Sequence, residues 1–385
     1  MPVTLPRRAL LGAELPGDAE AFTDDGMWIA GVVTGSMAER AGLDAGDCLC
    51  TLAGLPVRTL AELAAALRRA AAGSTTTITF KRGGAIQSSE VAVAVMPLES
   101  LDGARVKYDE LAVDGARLRM IATHAAAPRA LIVVIQGIAC ESIDHALAPE
   151  APLAGLIAGW TRAGYDTLRF DKRGVGDSEG GPCPRTDFAT ELADARAAAA
   201  HAAADARARA VPLVVFGHSV GGIIAAQLAP DLAPAAVIVY GTPVMRWLAC
   251  LQDSARRQLV LRGAGDDVIY DQVSELARLA ETGDLNGRSA AYHGQLDALD
   301  LETAWRRVTA PILVVRGEHD WVVAEDDQAR IATLAPGATT IVDVPGLDHL
   351  FGFHTDREAS LRDYGIGAFD PAIVDATVAW LATRV

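Results

Sequence analysis

Pro212-Leu213-Val214-Val215-Phe216-Gly217-His218-Ser219-Val220-Gly221-Gly222 is the stretch on which the reading of this chain turns. Five apolar residues come first, then Gly217-His218-Ser219-Val220-Gly221, then "IIAAQLA" with helical character. Ser219 therefore sits at a tight strand-to-helix turn, where the glycines either side avoid a collision with neighbouring backbone. The helix start beyond it favours developing negative charge. A serine that merely caps a helix is the bland alternative. A reactive serine hydroxyl needs a base and an orienting acid, so both are sought downstream.

Outward from this turn the chain alternates strands and helices. "ALIVVIQG", "YDTLRF", "AAVIVYG", "APILVVRG" and "TTIVDVPG" are short β-branched runs, and helices are expected over Pro152 to Ala163, Phe188 to Ala208 and Val220 to Leu228. Continuous apolar runs between helices imply a mostly parallel, doubly wound sheet covered on both faces. The segment between Gly241 and Pro311 is far longer than a plain crossover, and its helical stretches (Trp247 to Leu261, Asp271 to Glu281, Leu301 to Val308) form a helical cap over about 243–306.

Asp320 lies in "ILVVRGEHDWVV", just past the penultimate strand, and His349 lies in "VPGLDHLFG", just past the last. The order Ser219, Asp320, His349, with gaps of about 100 and about 30 residues, suits a nucleophile, acid and base gathered at one sheet edge. His354 is the alternative base, and Glu318 and Asp348 are alternative acids. His218 is expected to point away, and His319 to face solvent or stand behind the acid.

On these motifs residues 107–385 resemble an α/β-hydrolase of the serine aminopeptidase or lysophospholipase-like branch. "RFDKRGVGDSEG" (Arg169 to Gly180) is similar to the loop those proteins carry after their fourth strand, either a substrate contact or a turn built from Asp171, Arg173 and glycines. The resemblance implies an oxyanion hole from the backbone N–H groups of Val220 and Ile138. Gln136-Gly137 departs from the histidine-glycine of most relatives. Met245, Trp247 and Leu248 open the cap and are either an apolar acyl pocket or ordinary cap core. The expected activity is hydrolysis of a carboxylic ester or thioester on a small acyl substrate, with no metal or organic cofactor. Three alternatives stand beside it: an acyltransferase or cyclase, a peptidase holding a substrate amine on Asp253, Glu275 or Glu281, and a non-catalytic scaffold.

The first part of the chain reads differently. A strand-like run from Met27 to Val33, a helix capped by Thr59 and two strands about Gly83-Gly84 make a small β-rich unit over residues 1–98, with 99–106 as a linker. "VVTGSMAERAGLDAGDCLCTLAG" followed by "TLAELAAALRRA" resembles a PDZ domain of the bacterial type found with HtrA proteases. The resemblance implies that "ALLGAEL", through Leu11, Gly12 and Ala13, receives the carboxylate of a peptide or partner C-terminus.

The net charge of −15, from 34 basic and 49 acidic residues, argues against nucleic acid or an anionic membrane as partner. Arg7-Arg8 precedes Ala9-Leu10-Leu11, but this apolar run ends at Glu14, short of the ~7–15 residues of a signal core. No run approaches the ~18 apolar residues of a membrane span. Five cysteines, an odd number, are expected to form no disulfide framework. These readings together place the chain in the cytoplasm.

Overall fold

The computed structural model describes residues 5–16, 21–283 and 285–385. The chain forms two compact units, Met1–Leu98 and Glu99–Val385. In the first, antiparallel strands run in the order Phe22–Thr23, Gly26–Trp28, Cys48–Leu52, Thr75–Arg82, Ala85–Ala92. The Leu60–Arg69 helix begins where the Thr59 hydroxyl accepts the Glu62 N–H, and it buries Leu63 and Ala66. Ala13–Glu14 pairs with Gly31–Val32 in a separate two-stranded ribbon.

The second unit is built on eight strands: β1 Arg105–Val113, β2 Ala116–His124, β3 Ala130–Ile135, β4 Tyr165–Phe170, β5 Leu213–His218, β6 Ala236–Tyr240, β7 Ile312–Gly317 and β8 Thr339–Val344. Their spatial order is β8-β7-β6-β5-β3-β4-β2-β1. Six strands are parallel, and β2 joins antiparallel to both β4 and β1. The mostly parallel sheet expected from sequence is present. The β1–β2 hairpin is an addition, and β1 begins inside the stretch read as a linker.

The apolar strands bury both faces, and their side chains divide with period two. Leu131, Val133, Val215, Val239 and Val314 face one core. Ile132, Val134, Phe216, Ile238 and Leu313 face the other. The second core is closed by helix α1 (Pro152–Arg162) and the C-terminal helix Ala372–Leu381. Truncating a fully buried residue such as Phe216 to alanine would cost about 3–5 kcal/mol.

Helix α2 (Phe188–Ala208) and helix α3 (Val220–Leu232) cover the first face. Asp187 caps α2 by accepting the Thr190 N–H. Its buried Ala195, Ala198, Ala199, Ala202 and Ala203 repeat at helical spacing, and such small side chains let the helix lie close to the sheet. The "RFDKRGVGDSEG" loop leaves β4 against this helix. Arg173 forks onto Asp194 at 2.7 and 2.8 Å, and Asp171 accepts the Ile143 N–H at 2.9 Å. Its charges are used in building the turn.

The cap consists of helices α4 (Trp247–Leu261), α5 (Asp266–Thr282), α6 (Ala290–Asp297) and α7 (Leu301–Arg306). Its entry is fixed by Asp327, whose carboxylate accepts the Val244 and Met245 N–H groups at 2.8 and 3.0 Å. Among the described residues no helix is long and apolar enough to cross a membrane.

One cysteine expectation is corrected. Cys140 and Cys183 form a disulfide, with Cα atoms 5.9 Å apart, while Cys48, Cys50 and Cys250 are free. An odd count excludes only complete pairing. The two partners lie in loops following the neighbouring strands β3 and β4, so the fold brings them together despite their separation in the chain. A stable disulfide also conflicts with a reducing compartment.

Candidate active site

The Ser219 turn is built by close approach. A Cβ on Gly217 would stand 2.5 Å from the Gly221 carbonyl oxygen, and one on Gly221 would stand 2.1 Å from that of Ile135. Ser219 itself has φ 54° and ψ −121°, a strained conformation for a residue with a side chain. It is tied in place by its N–H, which donates to the Tyr240 carbonyl at 2.8 Å. Such strain fits a serine presented at the top of a strand. Ser219 and His349 line the same cavity.

His349 stands on the loop after β8. Its Nδ1 lies 2.9 Å from Asp320 Oδ2. Burial alone raises the Asp320 pKa, but the imidazole's charge and hydrogen bond, with the Val323 and Val322 N–H groups, outweigh it and bring the carboxyl below its ordinary range. The ionised carboxylate can only accept, so Nδ1 carries the proton and Nε2 is left as a base.

The alternative acids and base are occupied elsewhere. Asp348 accepts the Leu350 and Gly352 N–H groups at 2.8 Å each and meets His354 Nε2 at 3.0 Å. That pair ties the loop bearing His349 to itself. Glu318 accepts the Gly346 N–H at 2.9 Å. His319 is partly buried beside these groups, its N–H donating to the Leu347 carbonyl.

His218 differs from expectation, for its side chain is turned toward the site. Its Nε2–H donates to the His349 carbonyl at 2.8 Å, and its ring lies 5.0 Å from that of His349 and 4.7 Å from that of Phe351. Burial first, then the neighbouring His349, pushes its pKa down to about 3. It is a neutral strut under His349. Strand alternation in fact puts its ring on the side of Phe216, where both rings meet Phe351.

Around Ser219, Gly137 packs so close that a Cβ there would lie 3.3 Å from Ser219 Cβ. Gln136 Nε2 donates to the Phe170 carbonyl at 3.2 Å, which fixes the start of this loop. The Val220 and Ile138 N–H groups meet no acceptor among the described residues. In the first unit, Leu11 is buried and Gly12 partly buried ahead of the Ala13–Glu14 strand, whose first residue, Ala13, is also partly buried. The Leu11 and Gly12 carbonyls accept the Ala38 and Val33 N–H groups, at 2.9 and 2.8 Å.

The cavity is about 540 Å³. One face of α4 lines it through Trp247, Cys250, Leu251, Ser254 and Ala255, with Ile138 opposite. Of the three cap residues named from sequence, Trp247 is in the wall and Met245 and Leu248 are not. The helical period puts positions three, four, seven and eight after Trp247 on its face instead. Trp247 is held by its Nε1–H, which donates to His293 Nδ1 at 2.9 Å. Asp253 pairs with Arg257 and Glu275 with Arg278, and neither these nor Glu281 lines the cavity. Among the described residues no group of three or more His, Cys, Asp or Glu side chains is arranged to hold a metal ion.

Comparison with known proteins agrees with this architecture. A family model described as serine aminopeptidase, S33, matches residues 126–356, and a PDZ domain model matches residues 28–82. A probable periplasmic serine protease do/HhoA-like of Haemophilus influenzae is 34% identical over 31% of this chain, and the match spans only 30% of that relative's length. A 2-(acetamidomethylene)succinate hydrolase of Mesorhizobium japonicum is 29% identical over 48% of this chain and 72% of its own. Among solved structures, a soluble variant of monoglyceride lipase from Saccharomyces cerevisiae, with a substrate analogue, superposes with a TM-score of 0.52 at 16% identity, covering 75% of this chain and 99% of that one.

Proposed function

Since the chain belongs to the serine aminopeptidase (S33) family of α/β-hydrolases and carries an N-terminal PDZ domain, we propose that it cleaves a carboxylic ester or thioester through an acyl-enzyme on Ser219. The reading is carried by one observation: the strained Ser219 and an imidazole hydrogen-bonded to an ionised Asp320 open on one apolar-walled cavity. His349 Nε2 takes the Ser219 proton as Oγ attacks the carbonyl carbon. Asp320 keeps the imidazole in the required tautomer and stabilises its charged form. The tetrahedral oxyanion is received by the Val220 and Ile138 N–H groups. His349 then returns its proton to the leaving group, and water attacks the acyl-enzyme by the same route.

Amide cleavage is the second reading, favoured by the family's aminopeptidase name and by the acetamido group in the named substrate of the Mesorhizobium relative. Against an aminopeptidase, the cap carboxylates are paired or away from the cavity. The PDZ domain is assigned a peptide or protein C-terminus as ligand, at Leu11, Gly12 and Ala13. The Cys140–Cys183 disulfide favours an oxidising compartment over the cytoplasm.

The test is turnover of p-nitrophenyl esters of rising acyl length and of amino-acid p-nitroanilides, by wild type and Ser219→Ala. Ester turnover lost in the mutant, with anilides untouched, is expected. Anilide turnover would favour the second reading. No turnover, together with no labelling of Ser219 by a fluorophosphonate, would remove the hydrolase mechanism.

A further inference from the structure

Behind the loop that follows β3 lies a charged cluster with almost no access to water. Lys172, from the end of β4, Glu191, in the first turn of α2, and Arg288, between α5 and α6, are 5%, 4% and 0% exposed. Both cations share the one carboxylate: Lys172 Nζ is 3.0 Å from Glu191 Oε1, and Arg288 Nη2 is 2.5 Å from Oε2. The Tyr292 hydroxyl donates to Oε1 at 3.2 Å, and its ring lies 3.8 Å beneath the Arg288 guanidinium. Burying two cations against one anion carries a large desolvation cost, and apolar side chains of similar size often serve stability as well or better.

Other donors of the cluster go to backbone carbonyls, while Arg288 Nε is buried without a partner among the described residues. Lys172 Nζ donates to the Gly137 oxygen at 2.5 Å. Arg288 Nη1 donates to the Ile138 oxygen at 3.1 Å, and Nη2 to that of Thr186 at 3.2 Å. Two successive carbonyls of the loop therefore point into the cluster. A peptide group is planar and trans, so its N–H points opposite to its carbonyl. Holding the Gly137 oxygen on Lys172 turns the Ile138 N–H away from the cluster, and holding the Ile138 oxygen on Arg288 does the same for Ala139. Gly137 packs on Ser219, so this other side of the loop is the nucleophile's side. The Ile138 and Ala139 N–H groups find no acceptor among the described residues.

We propose that Lys172 and Arg288 are positioning residues for the oxyanion hole: by gripping the Gly137 and Ile138 carbonyls they aim the Ile138 N–H at the oxygen that becomes negative when Ser219 is acylated. The assignment rests on the acyl-enzyme reading above. A cation on the carbonyl also polarises the peptide and strengthens its N–H as a donor. Burial lowers the Lys172 pKa, Glu191 opposes the change, and Arg288 adds to it. An amine offers two N–H donors even when neutral, enough for the Gly137 oxygen and Glu191, so the grip does not depend on its protonation state. Arg288 also reaches the disulfide, with Nη1 3.8 and 3.7 Å from the sulfurs of Cys140 and Cys183, so the loop is held at both ends.

The test compares Lys172→Met with wild type. The variant leaves Arg288 and Glu191 as a balanced pair, so it is expected to fold. The readouts are kcat, KM, inhibition by a trifluoromethyl ketone that forms a tetrahedral adduct on the serine, and a crystal structure. Loss of one oxyanion donor costs about 10²–10³-fold in kcat, and a loosened donor is expected to cost about 10–100-fold. KM should move little, and ketone affinity should fall by the same factor as kcat/KM. Arg288→Met should behave alike. An unchanged kcat, or a lower kcat with undiminished ketone affinity, would overturn the proposal. Should wild type itself turn over no ester, the function reading fails first. The crystal structure then decides: a rotated Gly137–Ile138 peptide supports the grip, and an unmoved one refutes it.

Discussion

Replacing Gly241 by alanine tests the catalytic constellation through packing alone. Gly241 follows β6 with φ +57°, and a Cβ there would meet His349 Nδ1 at 2.7 Å, Cε1 at 2.8 Å and Asp320 Oδ2 at 3.0 Å. The added methyl therefore wedges against both ends of the 2.9 Å hydrogen bond between base and acid. Ordinary contact needs roughly 3.5 Å, so the imidazole must retreat by about 0.7–0.8 Å. The left-handed backbone costs alanine about 1–2 kcal/mol, and overpacking a buried site adds about 1–3 kcal/mol. A displacement approaching 1 Å costs about 10²-fold in rate. Complete loss of the acid's orienting bond costs about 10⁴-fold. We expect kcat/KM to fall between those limits.

Gly263→Ala is the control. Gly263 has φ +71° after α4, but its Cβ would meet nothing within 4 Å. It should show the backbone term of about 1–2 kcal/mol and no change in kcat/KM. Both variants are to be followed by thermal unfolding and by hydrolysis of the best p-nitrophenyl ester. A folded Gly241→Ala enzyme with activity within about threefold of wild type would refute the argument, as would an equal loss in Gly263→Ala.

The other tests address the strut, the disulfide and the cavity. Unfolded His218 takes up a proton below about 6.5 while the folded residue stays neutral to about 3. Stability should therefore fall with pH across that window, by up to about 1.4 kcal/mol per unit, and His218→Gln should flatten this slope in urea titrations; an unaltered slope would show that His218 is not the source. Reducing the Cys140–Cys183 bond opens a loop of sequence separation 43, worth up to about 4 kcal/mol by chain entropy. It should also lower kcat, since Cys140 lies two residues beyond Ile138 in the same loop, and complete reduction with unchanged Tm and kcat would contradict that linkage. Leu251→Trp narrows the cavity on the α4 face. It should lower kcat/KM for the longest accepted acyl chain by at least about tenfold while sparing acetate, and a uniform loss would mean that Leu251 does not border the acyl chain.

Much of the hydrolase unit was legible because its signals are local. Phe188–Ala208 and Trp247–Leu261 fall at the bounds expected from sequence. The buried runs of β3 through β8 each sit in the sheet. The β1–β2 hairpin escaped because its strands carry Arg117, Arg119, Asp109 and Glu110, charges that read as surface. Arg119 is in fact 3% exposed and bonds to Asp177 at 3.0 Å. Helix α6 escaped for the opposite reason: its buried Tyr292, His293 and Leu296 give it little amphipathic contrast. The cap wall was misread at Met245 and Leu248 because residues near in sequence were taken for residues near in space.

The same distinction explains why the nucleophile's motif could be read but its support could not. Ser219 announces itself through glycines within two positions, since the steric demand there is made by adjacent backbone. Lys172, Glu191 and Arg288 make their demand across three elements, each as an ordinary charged residue in its own segment. Composition treats such residues as solvent-facing. Their burial becomes intelligible only once β4, α2 and the cap are assembled about the Gly137–Ile138 peptide. On the proposal above, what the cluster contributes is the hold of its spare donors on that peptide. On this argument Arg288 makes the cap part of the catalytic apparatus, since a cap residue grips the loop beneath the substrate, and cap variants that displace Arg288 should lower kcat before they alter KM.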